Sequence, residues 1–425
     1  MARILLATVG SLGDIHPFIA IGRALKDQGH RVTLAAPENG LAKARAAGLE
    51  ARPFLPDNAT ILARLGMSEE EMAAAVLADT NFVIDEILMP CLRSSTAALD
   101  ALAADADVMC GSIFALATDI VAEKRGLPLA TLVLQPMTLF SVWQPPEAPR
   151  FAAMRHAPKS VVGRGWNRGF YALVRAVLRQ RHARGVNAVR AEHGLGPISG
   201  APVLDHGGAS AATLCCWSTA LGTLPPDAPA NAVLTGFPFF DSEHGVDQAL
   251  PDELAAFLRD GPPPLVFTLG SFAIAAAGDF YREAMLASRA LGRRALMLTG
   301  QAGPAHRDSD CLFMGYAPHS AVFPQAAAIV HHGGIGTTGQ ALRAGRPQVV
   351  VPHFADQFDN AARLRAGGTA LTIRRDRFRG DHAAAVVGAA LELRAIAATA
   401  NDAARTIAGE DGAAVAARHI AALCP

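Results

Sequence analysis

Apolar positions change period twice within the first forty residues. Arg3–Val9 (RILLATV) is a short β-rich run, Pro17–Gln28 sets Phe18, Ile21 and Leu25 at helical spacing, and Arg31–Ala36 returns to a strand. GSLGDIHP (10–17) joins the first two, and Gly29 stands where a helix C-cap glycine belongs. Strand, helix and strand in that order make a βαβ unit of a parallel sheet. The same alternation predicts strands at Ala106–Cys110 and Leu129–Leu134 around a helix near Leu116–Lys124, then strands at Ala212–Cys216 and Ala232–Leu234. Between 145 and 197 the rhythm breaks into a Pro-rich stretch and a long Arg-rich helix. Phe237–Leu254 reads as a linker, and beyond it strands are predicted at Pro264–Thr268, Arg294–Leu298, Ala327–His331 and Gln348–Val351. The Ala-rich tail, Asp381–Leu423, has helical composition.

The pattern predicts an α/β fold with two Rossmann-like doubly wound domains facing each other across a cleft. Their expected spans are 1–236 and 255–405, with a linker at 237–254 and a C-terminal helix at 406–425 packing back toward the first domain. Ligands in such sheets sit outside the carboxyl ends of the strands.

Composition changes this picture little. The 425 residues are 51% hydrophobic and 18% charged, which is ample for two cores. Net charge is zero, against a general nucleic-acid binder. Six cysteines without metal-type spacing read as free thiols of a reducing compartment. The N-terminal apolar run is too short for a signal-peptide core or a membrane span, so a cytoplasmic protein is expected.

The chemistry concentrates in Ala327–Pro352. An apolar strand ends in His331-His332, runs into GGIG, and is followed by the helical composition TTGQALRA. Glycines let the backbone approach a ligand with free N–H groups, and the following helix N-terminus adds partial positive charge. His332, Thr337 and Thr338 can bond phosphate oxygens. A Gly-rich strand–helix turn can also be only a tight turn. His353–Ala361 (HFADQFDNA) follows the next strand at the same sheet edge, where Asp356 and Gln357 can bond sugar hydroxyls; Asp356 can equally be a helix N-cap. Ser271, after the domain's first strand, is a further polar group at that edge. Two Asp-x-Asp strings, 105–107 and 308–310, are read as chance occurrences, and no metal is expected.

The stretch Gly315–Ala361 (GYAPHSAVFPQAAAIVHHGGIGTTGQALRAGRPQVVVPHFADQFDNA) resembles the donor-binding signature of family 1 glycosyltransferases, which have the GT-B fold. GSLGDIHPFIAIGRAL resembles the start of their acceptor domain. Within the family, TGFPFFD, VFTLGS, YAP and HHGGIG resemble segments of bacterial rhamnosyltransferases of rhamnolipid synthesis. The likeness is least clear over about 145–230.

The resemblance implies that His332, Gly334, Gly336 and Thr337 hold a diphosphate, with Ser271 near the phosphates. It implies that Tyr316 lies against the base and that Asp356 and Gln357 read the sugar. Gln340 stands where many relatives using uridine donors carry a glutamate for the ribose hydroxyls, and so hints at a thymidine donor. Inverting transfer needs a base in the N-terminal domain facing the cradle. Asp14 falls on the catalytic-histidine position, and His16 is the second choice. The plant-type supporting aspartate has no clear match; CGSIFAL occupies its region, with Ser112 near that place.

The Arg-rich helix 165–190 interleaves Arg168, Arg175, Arg179, Arg181, Arg184 and Arg190 with apolar residues. Such a helix can lie on an anionic membrane as a peripheral contact at the inner face, hold an acidic lipophilic acceptor, or pack with a solvated basic face. The expected function is transfer of a sugar, L-rhamnose from dTDP-rhamnose, to a hydroxyl of a lipophilic small molecule such as a hydroxy fatty acid. The donor acts as co-substrate, with no other cofactor. The alternatives are a UDP-glucose-dependent enzyme acting on a terpenoid, polyketide or phenolic acceptor, a sugar-nucleotide epimerase, and a non-catalytic partner of the same fold.

Overall fold

The computed structural model describes residues 1–79, 81–205, 210–242, 250–271, 273–300 and 304–425, so part of the expected linker, 243–249, lies outside the described residues. Its frame is two seven-stranded sheets. The first holds β1 (Arg3–Ala7), β2 (Arg31–Pro37), β3 (Glu50–Leu55), β4 (Val108–Ser112), β5 (Leu129–Val133), β6 (Ala212–Cys215) and β7 (Ala232–Leu234). They lie in the order β3-β2-β1-β4-β5-β6-β7, every neighbouring pair parallel. The second holds β8 (Leu265–Thr268), β9 (Ala295–Leu298), β10 (His306–Asp308), β11 (Cys311–Met314), β12 (Ala328–His331), β13 (Gln348–Val350) and β14 (Ala370–Thr372). Their order is β10-β11-β9-β8-β12-β13-β14, parallel except for the β10–β11 edge pair. Strands β4, β5, β8, β9 and β12 are buried along their whole length, as parallel sheets covered on both faces require.

Strand order reverses between β1 and β4 in one sheet and between β8 and β12 in the other. Those reversals open a crevice at the carboxyl ends, where ligands of such sheets bind. The loops after β1, β8 and β12 therefore occupy the two switch points.

Periodicity starts the first helix at Pro17, but the structure starts it at Leu12 and runs it to Asp27. Asp14, third residue of that helix, accepts the Ser11 N–H at 2.9 Å, the reciprocal half of a capping box. Pro17 falls inside the helix, where the start signal lies upstream of it. Asp14 and His16 are thus helical residues rather than loop residues. Of the two Asp-x-Asp strings, Asp308 lies in β10 and pairs with Arg289 at 2.9 Å, while Asp105 and Asp107 both pair with Arg3.

The two halves share packing. One apolar cluster joins Ile113, Val133 and the fully buried Trp217 to Phe237, Ile335 and Leu342 of the second half. The helix Gly412–Ala421 leaves the second sheet and packs on the helix Leu12–Asp27, placing Ala416, Ala417 and Ile420 in the first domain's core. The two chain crossings touch: a Cβ on Gly412 would stand 2.5 Å from the Gly236 carbonyl oxygen. Beside them Ser218 donates to Glu410 at 2.9 Å.

Candidate active site

The strand β12 delivers His331 and His332 to the second switch point. His331 is committed inward: its Nδ1 accepts the Gly333 N–H at 3.1 Å, which leaves Nε2–H to donate to Gln348 Oε1 at 3.0 Å. His332 faces the other way. Its imidazole is wedged between two glycines, for a Cβ would meet it at 2.5 Å from Gly270 and at 2.3 Å from Gly334. Only glycine fits at these two positions. Burial holds the ring neutral, with neighbouring histidines adding to the effect. Its Nδ1 is buried without a hydrogen-bond partner among the described residues.

Gly334 is the N-cap of the helix Ile335–Ala344 and offers no side-chain cap. The amides of Ile335, Gly336 and Thr337 therefore begin the helix without intrahelical acceptors, at its positive dipole end. Buried polar atoms without partners accumulate around this turn: His332 Nδ1, Thr338 Oγ1, Gln340 Oε1, His353 Nε2 and Asn360 Oδ1. Such atoms are rare in folded proteins because each costs about 1–3 kcal/mol, so a cluster marks a place made for a ligand. Thr337 is buried on the same turn, and Ser271 is exposed just past β8.

Asp14 stands across the crevice. A Cβ on Gly336 would lie 3.9 Å from the Gly13 Cα, so the first helix of one domain abuts the cradle of the other. Asp14 is half-buried, desolvated by its walls yet open to the cleft. Burial raises its carboxyl to about 6, against the opposing bond from Ser11. Asp356 is raised to about 7, first by burial and then by the negative charge of Asp14. The two carboxyls therefore lie close enough for the charge of one to oppose ionisation of the other.

Asp356 opens the helix Gln357–Ala366 but makes no capping bond. Its Oδ2 instead accepts from Asn360 Nδ2 at 2.8 Å, and the same amide donates to the Gly333 carbonyl at 2.9 Å. Asn360 thus ties the acidic loop to the cradle; its i,i+4 spacing from Asp356 was the signal available in the sequence. Ala355 before it holds φ +49°, a strained value for a non-glycine residue and common in ligand loops. Gln357 is buried, and its Oε1 accepts the amides of His353 (2.8 Å) and Phe354 (3.2 Å). Its side-chain carbonyl is committed to the loop, leaving the amide nitrogen, Nε2, for a ligand.

At the far end of the cleft the Tyr316 hydroxyl donates to Asp241 Oδ1 at 2.8 Å, and Asp241 Oδ2 accepts the Ser320 N–H at 2.6 Å. Lys43 lies 5.8 Å from the Tyr316 ring and 3.4 Å from His16 Nε2. His16 also meets Phe240 edge-on at 5.3 Å. Burial, then the Lys43 charge, lowers His16 to about 4. His16 thus belongs with Tyr316 at the linker, whereas Asp14 faces the cradle. Asp241 closes the TGFPFFD segment but nothing local marks it as a partner of Tyr316, and Lys43 belongs to no motif.

Comparison with known proteins agrees with this fold. Residues 4–144 match the glycosyltransferase family 28 N-terminal domain, and residues 305–423 match the erythromycin biosynthesis protein CIII-like C-terminal domain. The chain is 31% identical over 389 residues to O-mycaminosyltylonolide 6-deoxyallosyltransferase of Streptomyces fradiae, covering 87% of this chain and 84% of that one. It is 31% identical over 425 residues to vancomycin aglycone glucosyltransferase of Amycolatopsis orientalis, covering 98% and 96%. The solved structure of glycosyltransferase VinC in complex with dTDP superposes with a TM-score of 0.68 at 19% identity, covering 99% of each chain.

Proposed function

The chain belongs to the family 1 glycosyltransferases of GT-B fold, enzymes that use nucleotide sugars, and on that premise we propose that it moves a 6-deoxyhexose from a thymidine diphosphate donor to a hydroxyl of a lipophilic small molecule with inversion. The observation that carries the reading is the set of unpartnered buried polar atoms and free helix amides facing Asp14. The sugar is L-rhamnose, on the likeness of TGFPFFD, VFTLGS and HHGGIG. A 6-deoxy sugar also agrees with the name of the Streptomyces relative. The acceptor is a polyketide-type aglycone, in keeping with that relative's tylonolide-derived acceptor; a hydroxy fatty acid is the second arm of any acceptor panel.

In this reaction Asp14 takes the proton of the acceptor hydroxyl as its oxygen attacks the anomeric carbon. The bond from that carbon to the diphosphate breaks, and its electron pair leaves on the phosphate oxygen. His332 and the amides of Ile335, Gly336 and Thr337 stabilise the charge that develops there. Asp356, held by Asn360, and the Gln357 amide face the sugar.

Gln340 supports the thymidine half of the reading. Its buried, unpartnered Oε1 is a neutral acceptor suited to one ribose hydroxyl. A thymidine donor lacks the 2′-hydroxyl, so a second contact is not required. dTDP should raise the melting midpoint more than UDP at equal concentration, by the linkage between affinity and stability. A larger shift with UDP would favour the UDP-glucose reading and overturn the thymidine one.

The pH profile is a separate check. A base whose carboxyl sits near 6 is protonated and idle below that value, so kcat/KM should climb with pH through a limb near 6. A limb near 4, the ordinary aspartate range, would remove Asp14 from the role.

A further inference from the structure

Among the described residues nine large hydrophobic side chains stand exposed, and six of them gather at one place: Trp143, Val161, Val162, Trp166, Leu173 and Val177. Five belong to the helix Val161–Glu192, which is 32 residues and about 48 Å long. Val162, Trp166, Leu173 and Val177 are 82%, 57%, 64% and 53% exposed. At 100° per residue they share one stripe, with Gly169 between Trp166 and Leu173. The buried side chains of this helix, Asn167, Tyr171, His182, Val186 and Val189, lie on the opposite side. The apolar stripe therefore points directly away from the protein, and the helix is anchored without it.

The charge on this helix is one-sided. It carries seven arginines and no acidic residue before Glu192. Arg175, Arg181 and Arg190 pair inward with Asp205, Asp85 and Glu123. Arg184 continues the line of the apolar stripe, while Arg168 is exposed about 150° round the helix from it; neither has an ion pair among the described residues. Arg164 stacks on Trp143 at 4.1 Å, fixing a second indole near the helix start.

We propose that this face docks on an anionic lipid surface, the apolar stripe entering the headgroup boundary while the arginines meet phosphate. An exposed stripe with tryptophan at its centre and cations around it is the pattern of a helix lying in a bilayer interface. A second copy of the chain is the poorer occupant, because pairing the stripes would bring two unpaired Arg184 side chains into the contact with no acid on the stripe to meet them. Among the described residues no single helix is long and apolar enough to cross a membrane, so the contact is peripheral. The helix presents this face whichever acceptor is used.

Co-sedimentation of the full chain with vesicles tests it. Phosphatidylcholine vesicles containing phosphatidylglycerol should carry the protein down, pure phosphatidylcholine should not, and added salt should release it. Leu173→Ser and Trp166→Ser should each weaken partitioning by roughly tenfold, and Arg184→Gln by about fivefold. An unchanged melting midpoint and dTDP affinity in these variants establish that the fold and the donor site are intact, which separates failure here from failure of the glycosyltransferase reading. Absence of pelleting with the anionic vesicles, or equal pelleting without phosphatidylglycerol, overturns the proposal. So does a solution dimer that Leu173→Ser dissolves, which would assign the stripe to a second copy.

Discussion

Asp14→Asn should abolish turnover, lowering kcat by roughly 10²–10⁴-fold, while dTDP binding is unchanged. Asparagine keeps the size of the side chain and an oxygen for the Ser11 N–H, so the start of the first helix survives. It removes only the proton acceptor facing the cradle. The same variant should be more stable than the wild type at pH 8. A carboxyl raised to about 6 contributes stability below its ordinary value near 4 and loses it as pH rises through 6. At pH 8 the charged form is therefore a burden on the folded state, and the amide relieves it. The gain is on the order of 1 kcal/mol once its open side is discounted. Loss of kcat together with a raised melting midpoint separates chemistry from misfolding. An Asp14→Asn enzyme that retains most of its kcat would assign the proton transfer elsewhere.

His332→Ala should weaken dTDP binding by about 10–100-fold in calorimetry, the worth of one hydrogen bond to a charged group. The imidazole is the one cradle side chain wedged between two glycines, and its unpartnered Nδ1 has no other function in the fold. Truncation leaves the helix amides in place, so some affinity remains. The Asp14 limb in the pH profile should stay where it is, because the base belongs to the other domain. Unchanged dTDP affinity would sink the cradle as the diphosphate site.

The βαβ rhythm was legible because buried parallel strands are nearly continuous apolar runs with glycine or proline at their ends. Ten of the predicted strand positions rest on that signal, from RILLATV to QVVVP. Four strands fall outside that signal: β3 contains Arg52 and Pro53, β10 is a fully exposed His-Arg-Asp edge strand, β14 is three residues long, and β11 is a four-residue run only two residues beyond β10. At the first helix Pro17 imitates an N1 residue, but the Ser11–Asp14 capping pair upstream of it sets the start. The site residues were readable in type and less so in role. Gln357 carries an amide suited to a sugar, yet half of it is spent on His353 and Phe354. Asp241 and Lys43 reach Tyr316 only through the tertiary fold, as Trp217 reaches Ile335 and Leu342. No periodicity within one segment encodes contacts between segments.

The helix Gly412–Ala421 has a consequence in time. The first domain is made first on the ribosome, but its core includes Ala416, Ala417 and Ile420. Until that segment emerges, the nascent domain presents bare apolar surface beside the helix Leu12–Asp27, open to chaperones. Completion of the earliest part of the chain therefore waits on one of the latest.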